Sequence, residues 1–378
     1  MKKMKIWKIT TLLLSLILVC SCSDDTTEND EIQINNDAFV TTWRTTQANE
    51  SITIDINTNY ASEYSYSVNW GDGTATNTVY TTAAAHEYKN AGIHTVQITG
   101  NFPAIYNAND TDNAKKMQSI ENWGTIEWQS MNSAFYFCVN VALSAKDAPN
   151  LSKVTDLSSM FYAAYLVNND ISNWDVSNVT NMSEMFAAAT SFNQNLSDWD
   201  VSSVTNISTM FSYALSFNGD ISTWDVSNVT IMYEVFSRAI AFNGDISGWD
   251  VSNATNMASL FDRATAFNGD ISGWDVSSVT NMNRMFNSAS SFNQDLSAWN
   301  VSSATAMSTM FNSASSFNQD LSAWNVSSVT TMFNMFNSAS SFDQDLSGWN
   351  TINVTNCFDF NKDSALGTDD LPTLGCFN

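Results

Sequence analysis

The sequence predicts an α/β fold: a solenoid of 25-residue repeats over residues 151–350, preceded by a small antiparallel β-sandwich over residues 38–108. Three observations carry the prediction. Tryptophan recurs at Trp174, Trp199, Trp224, Trp249, Trp274, Trp299, Trp324 and Trp349, always 25 residues apart. Phenylalanine keeps the same beat in two columns, one running from Phe161 through Phe186 and Phe211 to Phe336, the other from Phe192 to Phe342. Before residue 108 the beat is absent, and apolar residues alternate with period two instead.

The period-two segments are SITIDIN, YSVNW and HTVQITG, in which Ile52, Ile54, Ile56, Tyr66, Val68, Trp70, Val96 and Ile98 point one way. Such alternation marks half-buried strands. Gly71-Asp72-Gly73 and Lys89-Asn90-Ala91-Gly92 supply turns between them, because Gly and Asp tolerate positive φ. His86 and His94, the only histidines, fall in this segment. A zinc site needs three or four ligands at motif spacing, so both are read as strand residues, and Asp72 as a turn residue.

A strict period between 20 and 50 residues signals stacked repeats, and 25 lies in the leucine-rich-repeat range. Within one unit, D-[IL]-S-x-W-[DN]-V reads as a strand-like edge. V-T-x-M-x-x-M-F places apolar residues at i, i+3, i+6 and i+7, which fits one or two turns of helix capped by the preceding Ser or Asn. S-F-N-[GQ]-D closes the unit. One unit cannot bury its own apolar face, so its neighbours must. Residues 109–150 read as a connecting and capping segment, with Tyr136 in the main Phe register. Residues 351–378 read as a C-terminal cap, where Cys357 and Cys376 are close enough in sequence to pair, and Cys138 reads as a small buried hydrophobe.

The tryptophan column has two readings. One is core packing, as for the phenylalanines. The other is an exposed aromatic row for stacking on glycans, which the polar residues flanking each Trp favour. The second reading makes Trp174, Trp199, Trp224, Trp249, Trp274, Trp299, Trp324 and Trp349 candidate ligand-binding residues. Carboxylates also form columns: Asp170, Asp220, Asp245, Asp270, Asp295, Asp320 and Asp345, with Asn195 in the gap, and Asp175 to Asp275, which continues as Asn300, Asn325 and Asn350. Stacked like charges repel, so either these side chains accept backbone N–H bonds in turns or calcium bridges them. The exchange of Asp for Asn favours turn capping, since both offer an acceptor oxygen and charge is dispensable. No cofactor is expected.

The N-terminus reads as a targeting segment. Lys2, Lys3, Lys5 and Lys8 precede an apolar run from Leu12 to Val19, which ends in Val19-Cys20-Ser21-Cys22. The run is too short for a comfortable membrane span. Residues 1–21 are therefore expected to be a signal peptide, and Cys22, which resembles the lipidated cysteine of a bacterial lipobox, the anchor. The acidic, polar segment 22–37 reads as a flexible tether. Its Ser23-Asp24-Asp25 start resembles the signal that places Bacteroidetes-type lipoproteins on the outer face of the outer membrane.

Composition narrows the partners. Against 14 Lys+Arg stand 38 Asp+Glu, a net charge of −24. Nucleic acid and anionic lipid headgroups need basic surfaces, so neither is expected, and membrane contact is expected through the lipid anchor only. The repeats hold no histidine and only Lys153, Arg238, Arg263 and Arg284 as bases. With no nucleophile–base pair, phosphate loop or metal motif, the chain reads as non-catalytic.

Two resemblances add to this reading. VNWGDGT at 68–74 with HEYKNAGIHTVQITG at 86–100 resembles the PKD domain, an immunoglobulin-like β-sandwich of extracellular proteins, which implies a spacer or adhesion module. The units of 150–350 resemble the DUF285, or BspA-like, leucine-rich-repeat family of bacterial surface lipoproteins, although the Gly-Cys that follows the Met-Phe step in that family is replaced here by Ala or Ser-Ala. The resemblance implies a cell-surface solenoid that binds extracellular proteins or polysaccharides. Adhesion is the leading expectation. Glycan capture for uptake, using an exposed Trp row, is the alternative.

Overall fold

The computed structural model describes residues 34–74 and 77–378. The expected signal peptide and the lipidation site at Cys22 lie outside the described residues, as does most of the expected tether. The last residues of the tether are bound to the β region: the Asn35 amide donates to Gln97 Oε1 at 2.9 Å.

The chain begins with strands β1 (Phe39–Thr45), β2 (Glu50–Ile54), β3 (Ser65–Asn69), β4 (Val79–Tyr80), β5 (Ala84–Tyr88) and β6 (Gly92–Asn101). The period-two segments thus lie on β2, β3 and β6. Helix α1 (Thr111–Ala114) and strands β7 (Met117–Asn122) and β8 (Ala142–Leu143) come next. The larger sheet runs β4-β3-β6-β1-β7-β8, and β2 pairs with β5 in a second sheet. β1 sits mid-sheet, antiparallel to β6 from Phe39↔Ile98 to Thr45↔Gly92 and to β7 on its other edge. Its two buried faces explain why FVTTWRT lacks clean alternation. The sheet therefore continues past residue 108 into the expected connector.

β7 and β8 pair in parallel, Ser119↔Ala142. Parallel single-residue bridges carry the same pairing onward through the repeats, from Glu127↔Asn150 and Asp156↔Asn181 to Thr331↔Asn356. One apolar core, from Phe39 to Leu366, underlies both parts.

The expected α/β leucine-rich-repeat solenoid is overturned. Apart from the four residues of α1 and short 3-10 turns, the regular secondary structure among the described residues is all β. The V-T-x-M-x-x-M-F segment forms no helix, and D-[IL]-S-x-W-[DN]-V forms one turn, with a second just after it, in place of a strand. Hydrogen bonding gives the reason. Met185, Ala187 and Ala189 donate to the carbonyls three residues back, at Met182, Glu184 and Phe186. The alternating amides of Met182, Glu184, Phe186 and Ala188 instead cross to the next repeat, at Asn206, Ser208, Met210 and Ser212. A helix would spend every amide inside its own repeat and leave none for this ladder. Glu184 at φ 59° and Ala188 at φ 57° sit in the left-handed region, and later repeats carry the same pair. These positions break any helix while keeping the apolar residues on one side.

The phenylalanines stack through the core. Phe211, Phe236 and Phe261 lie 5.9 and 5.7 Å apart with nearly parallel rings, and each packs on its partner from the second column at 3.8–3.9 Å. Register changes once. Phe135 stacks on Phe161 at 5.5 Å and Tyr136 on Tyr162 at 4.8 Å. Phe135, and not Tyr136, is therefore the first member of the main column, because the first unit is one residue longer. At the far end Cys357 and Cys376 form a disulfide, and Cys376 N–H donates to Val354 O at 3.1 Å. Cys138 is a buried free thiol, and burial pushes its pKa well up.

Candidate functional site

The structure corrects the exposed-row reading of the tryptophans. Trp174, Trp199, Trp224, Trp249, Trp274, Trp299, Trp324 and Trp349 are only 2–5% exposed. Trp224 and Trp249 stack 6.2 Å apart, and Trp249 and Trp274 6.4 Å apart. From Trp199 onward each indole N–H donates to the carbonyl 28 residues earlier, at 2.9–3.1 Å. From Trp199 onward the rings thus make no exposed row for a sugar, because they are buried and their polar edges are spent on the backbone. An indole with a backbone acceptor can be fully buried, which lets a column of Trp sit beneath polar flanking residues.

The carboxylate columns cap turns. Asp220 Oδ1 accepts the Ser222 amide at 3.0 Å, Asp245 that of Ser247 at 3.0 Å, and Asn195 that of Ser197 at 2.8 Å. In the second column Asp200 accepts the Ser202 hydroxyl at 2.6 Å and amide at 3.1 Å, and Asn300 makes the same pair of bonds to Ser302. The Ser222 and Ser247 amides, then their hydroxyls, hold Asp220 and Asp245 below the usual carboxylate range. The Ser202 hydroxyl, then its amide, does so for Asp200. Among the described residues no three His, Cys, Asp or Glu side chains gather as metal ligands.

The histidines serve the β region. His86 Nε2 pairs with Asp72 Oδ2 at 2.7 Å, and its ring stacks on Trp70. His94 Nε2 meets Thr45 Oγ1 at 2.8 Å, stacks on Tyr88, and is held below its ordinary pKa by burial.

Two features escaped the sequence reading. The first is a stripe of exposed side chains on the turn ladder. Its positions are Ser or Thr in the last repeats, at Ser313, Ser315, Thr331 and Ser340, but Tyr165, Tyr213, Leu215, Ile231 and Ile240 in the earlier ones, and Tyr233 stands in a further column that is aromatic again at Phe333. The six earlier residues, Tyr233 included, are 38–46% exposed. Arg238 lies over the Tyr213 ring at 4.7 Å, and Arg263 occupies the next rung of the same column. Arg284 pairs with the buried Asp262 at 3.2 Å. Three of the four bases of the repeats therefore cluster in neighbouring units of a strongly acidic chain. The signal was present in the sequence as departures from the repeat at fixed positions.

The second is a cleft of about 450 Å³ where the β region meets the repeats, walled by Trp123 and Trp174. The two rings meet edge to face at 5.5 Å. Asp147 fixes this corner by accepting the amides of Trp123 and Gly124 at 2.8–3.1 Å. Gly124 at φ +65° has no room for a Cβ, which would come within 2.5 Å of the Ala38 backbone.

The model for the family described as "Mycoplasma protein of unknown function, DUF285" matches residues 104–214, 129–239, 197–294, 217–319 and 269–370. The chain belongs to the DUF285 family. The matches overlap, and together they span 104–370, which takes in the cleft, the exposed stripe and the whole Trp ladder. No curated protein and no solved structure matches this DUF285 chain.

Proposed function

We propose that this DUF285 protein is a non-catalytic, lipid-anchored cell-surface protein whose repeats bind extracellular protein or polysaccharide. The observation that carries the reading is the exposed stripe. The buried columns repeat almost without change, whereas Tyr213, Leu215, Arg238 and Ile240 depart from Ser and Thr on one outer face. Packing does not require those departures, since the later repeats do without them. Aromatic residues and arginine dominate recognition energy at interfaces, and rungs in series add avidity. The lipobox-like Cys22, the acidic segment behind it and the PKD-like stretch are consistent with display on the outer membrane. The glycan-capture alternative loses its stacking row, since the Trp faces are buried.

The test is binding of the full chain, immobilised on beads, to panels of extracellular-matrix proteins and bacterial and host polysaccharides. Saturable binding should disappear in the variant Tyr213→Ser, Leu215→Ser, Arg238→Ser, Ile240→Ser, with unchanged thermal stability. Binding that survives this variant, or no binding to any panel member, would sink the proposal. Cys22→Ala should release the protein from the membrane fraction, and retention would count against the anchor.

A further inference from the structure

The Trp ladder has an exception at its first rung. Seven indoles, Trp199 to Trp349, donate to a backbone carbonyl of the preceding unit. Trp174 has no such bond; the unit before it is one residue longer, and Asp147 in that unit accepts the Trp123 and Gly124 amides. Trp123, its neighbour across the cleft, also lacks a partner for its indole N–H among the described residues. Both side chains are more than nine-tenths buried, at 5% and 1% exposure. Neither nitrogen is among the fully enclosed unsatisfied atoms of the described residues, which are Asn107 Oδ1 and Trp128 Nε1. Both indole nitrogens therefore keep some accessible surface, and both residues line the cleft.

An indole donor on a cavity wall without a protein acceptor is satisfied only by what enters the cavity. Two such donors on one cavity form a place for acceptor atoms. The rim adds groups of both kinds. Asn173 and Lys146 are exposed and make no hydrogen bond or ion pair with other described residues, and the Asp170 carboxylate spends one oxygen on the Ser172 amide. The floor is apolar, from Ile171 and Leu143. The volume of about 450 Å³ falls within the range of small-molecule sites.

We propose that this cleft binds a neutral, hydroxyl-rich ligand of the size of one or two sugar rings. A hydroxyl accepts from an indole N–H and at the same time donates to Asp170, which a purely anionic ligand cannot do. Asp147 and Asp170 on the walls, in a chain of net charge −24, disfavour an acid. The two rings meet edge to face, so recognition runs through the indole N–H groups and the rim. The cleft is separate in residues from the exposed stripe, so either proposal can fail alone.

The experiment is ¹⁵N NMR of the full chain, following the indole N–H signals during titration with methyl glucoside, lactose and N-acetylglucosamine, with galacturonate as the acidic control. Trp123→Phe and Trp174→Phe assign the two signals by their loss. At least one neutral sugar should shift both with one-site saturation, and more strongly than galacturonate. Asn173→Ala, an exposed side chain without partners, should weaken that sugar about tenfold while leaving thermal stability unchanged. The proposal is overturned if no neutral sugar moves either signal up to its solubility, if galacturonate binds best, or if Trp174→Phe and Asn173→Ala both leave the affinity unchanged.

Discussion

Trp249→Phe should destabilise the protein much more than Trp174→Phe, although both remove the same atoms. At position 249 the indole N–H meets the Ile221 carbonyl at 3.1 Å, between Trp224 and Trp274. Phenylalanine leaves that buried carbonyl without its donor, at about 1–3 kcal/mol. The smaller ring adds roughly 1 kcal/mol for the residual cavity, so the expected loss is about 2–4 kcal/mol. At position 174 there is no backbone bond to lose, and one side of the ring opens on the cleft. Only the cavity contribution remains, about 1 kcal/mol or less. Urea unfolding of the two full-chain variants, followed by circular dichroism, measures the difference. Equal losses would mean that the Trp-to-carbonyl bonds do not hold neighbouring repeats together, and the reasoning would fail.

Other perturbations have outcomes of similar definition. Gly124→Ala should cost several kcal/mol and disturb the Trp123 signals, because it combines positive φ with a clash on the Ala38 backbone; a stable variant with an intact near-ultraviolet spectrum would refute the role of this corner. Cys376→Ser opens a loop with a sequence separation of 19 and should cost about 3 kcal/mol, with hydrogen exchange rising at the last repeat but not near Trp174; uniform loss along the chain would contradict local stacking. Acid should weaken the fold in a definite order. His94 is lowered by burial, so what it adds is present above its unfolded value near 6.5 and is lost as pH falls through its folded value. Asp200, Asp220 and Asp245 are lowered by their serine bonds, so their contribution is complete above 3.8 and is lost as pH falls below that. Asp245→Asn should leave the melting temperature at pH 7 nearly unchanged and flatten its fall near pH 3; a large loss at pH 7 would show that charge, and not the acceptor oxygen, caps the turn.

Particular residues show how far the sequence could be read. The Trp and Phe columns were legible because 25-residue spacing leaves stacking as the only way to bury them. The turn caps were legible from the change of Asp275 to Asn300. The helix was misread because Val229, Met232, Val235 and Phe236 have a spacing that also suits consecutive turns. What decides between them is the crossing of alternate amides to the next repeat, a non-local bond with no local signature. The first register was misread because Phe135 and Tyr136 are both aromatic, and only the extra residue in the unit tells them apart. The cleft was invisible for a related reason. It exists where a rung is missing, and a missing acceptor leaves no mark on Trp174 itself.

The most direct test of the account is tryptophan exposure in the full chain, by emission maximum and acrylamide quenching. Every tryptophan among the described residues is 5% exposed or less. The account therefore predicts blue-shifted emission and weak quenching, with an accessible fraction no larger than one residue outside them, Trp7, supplies. Red-shifted, readily quenched emission from the repeats would make the ladder an outward-facing row and contradict the buried, backbone-bonded column at the centre of this structure.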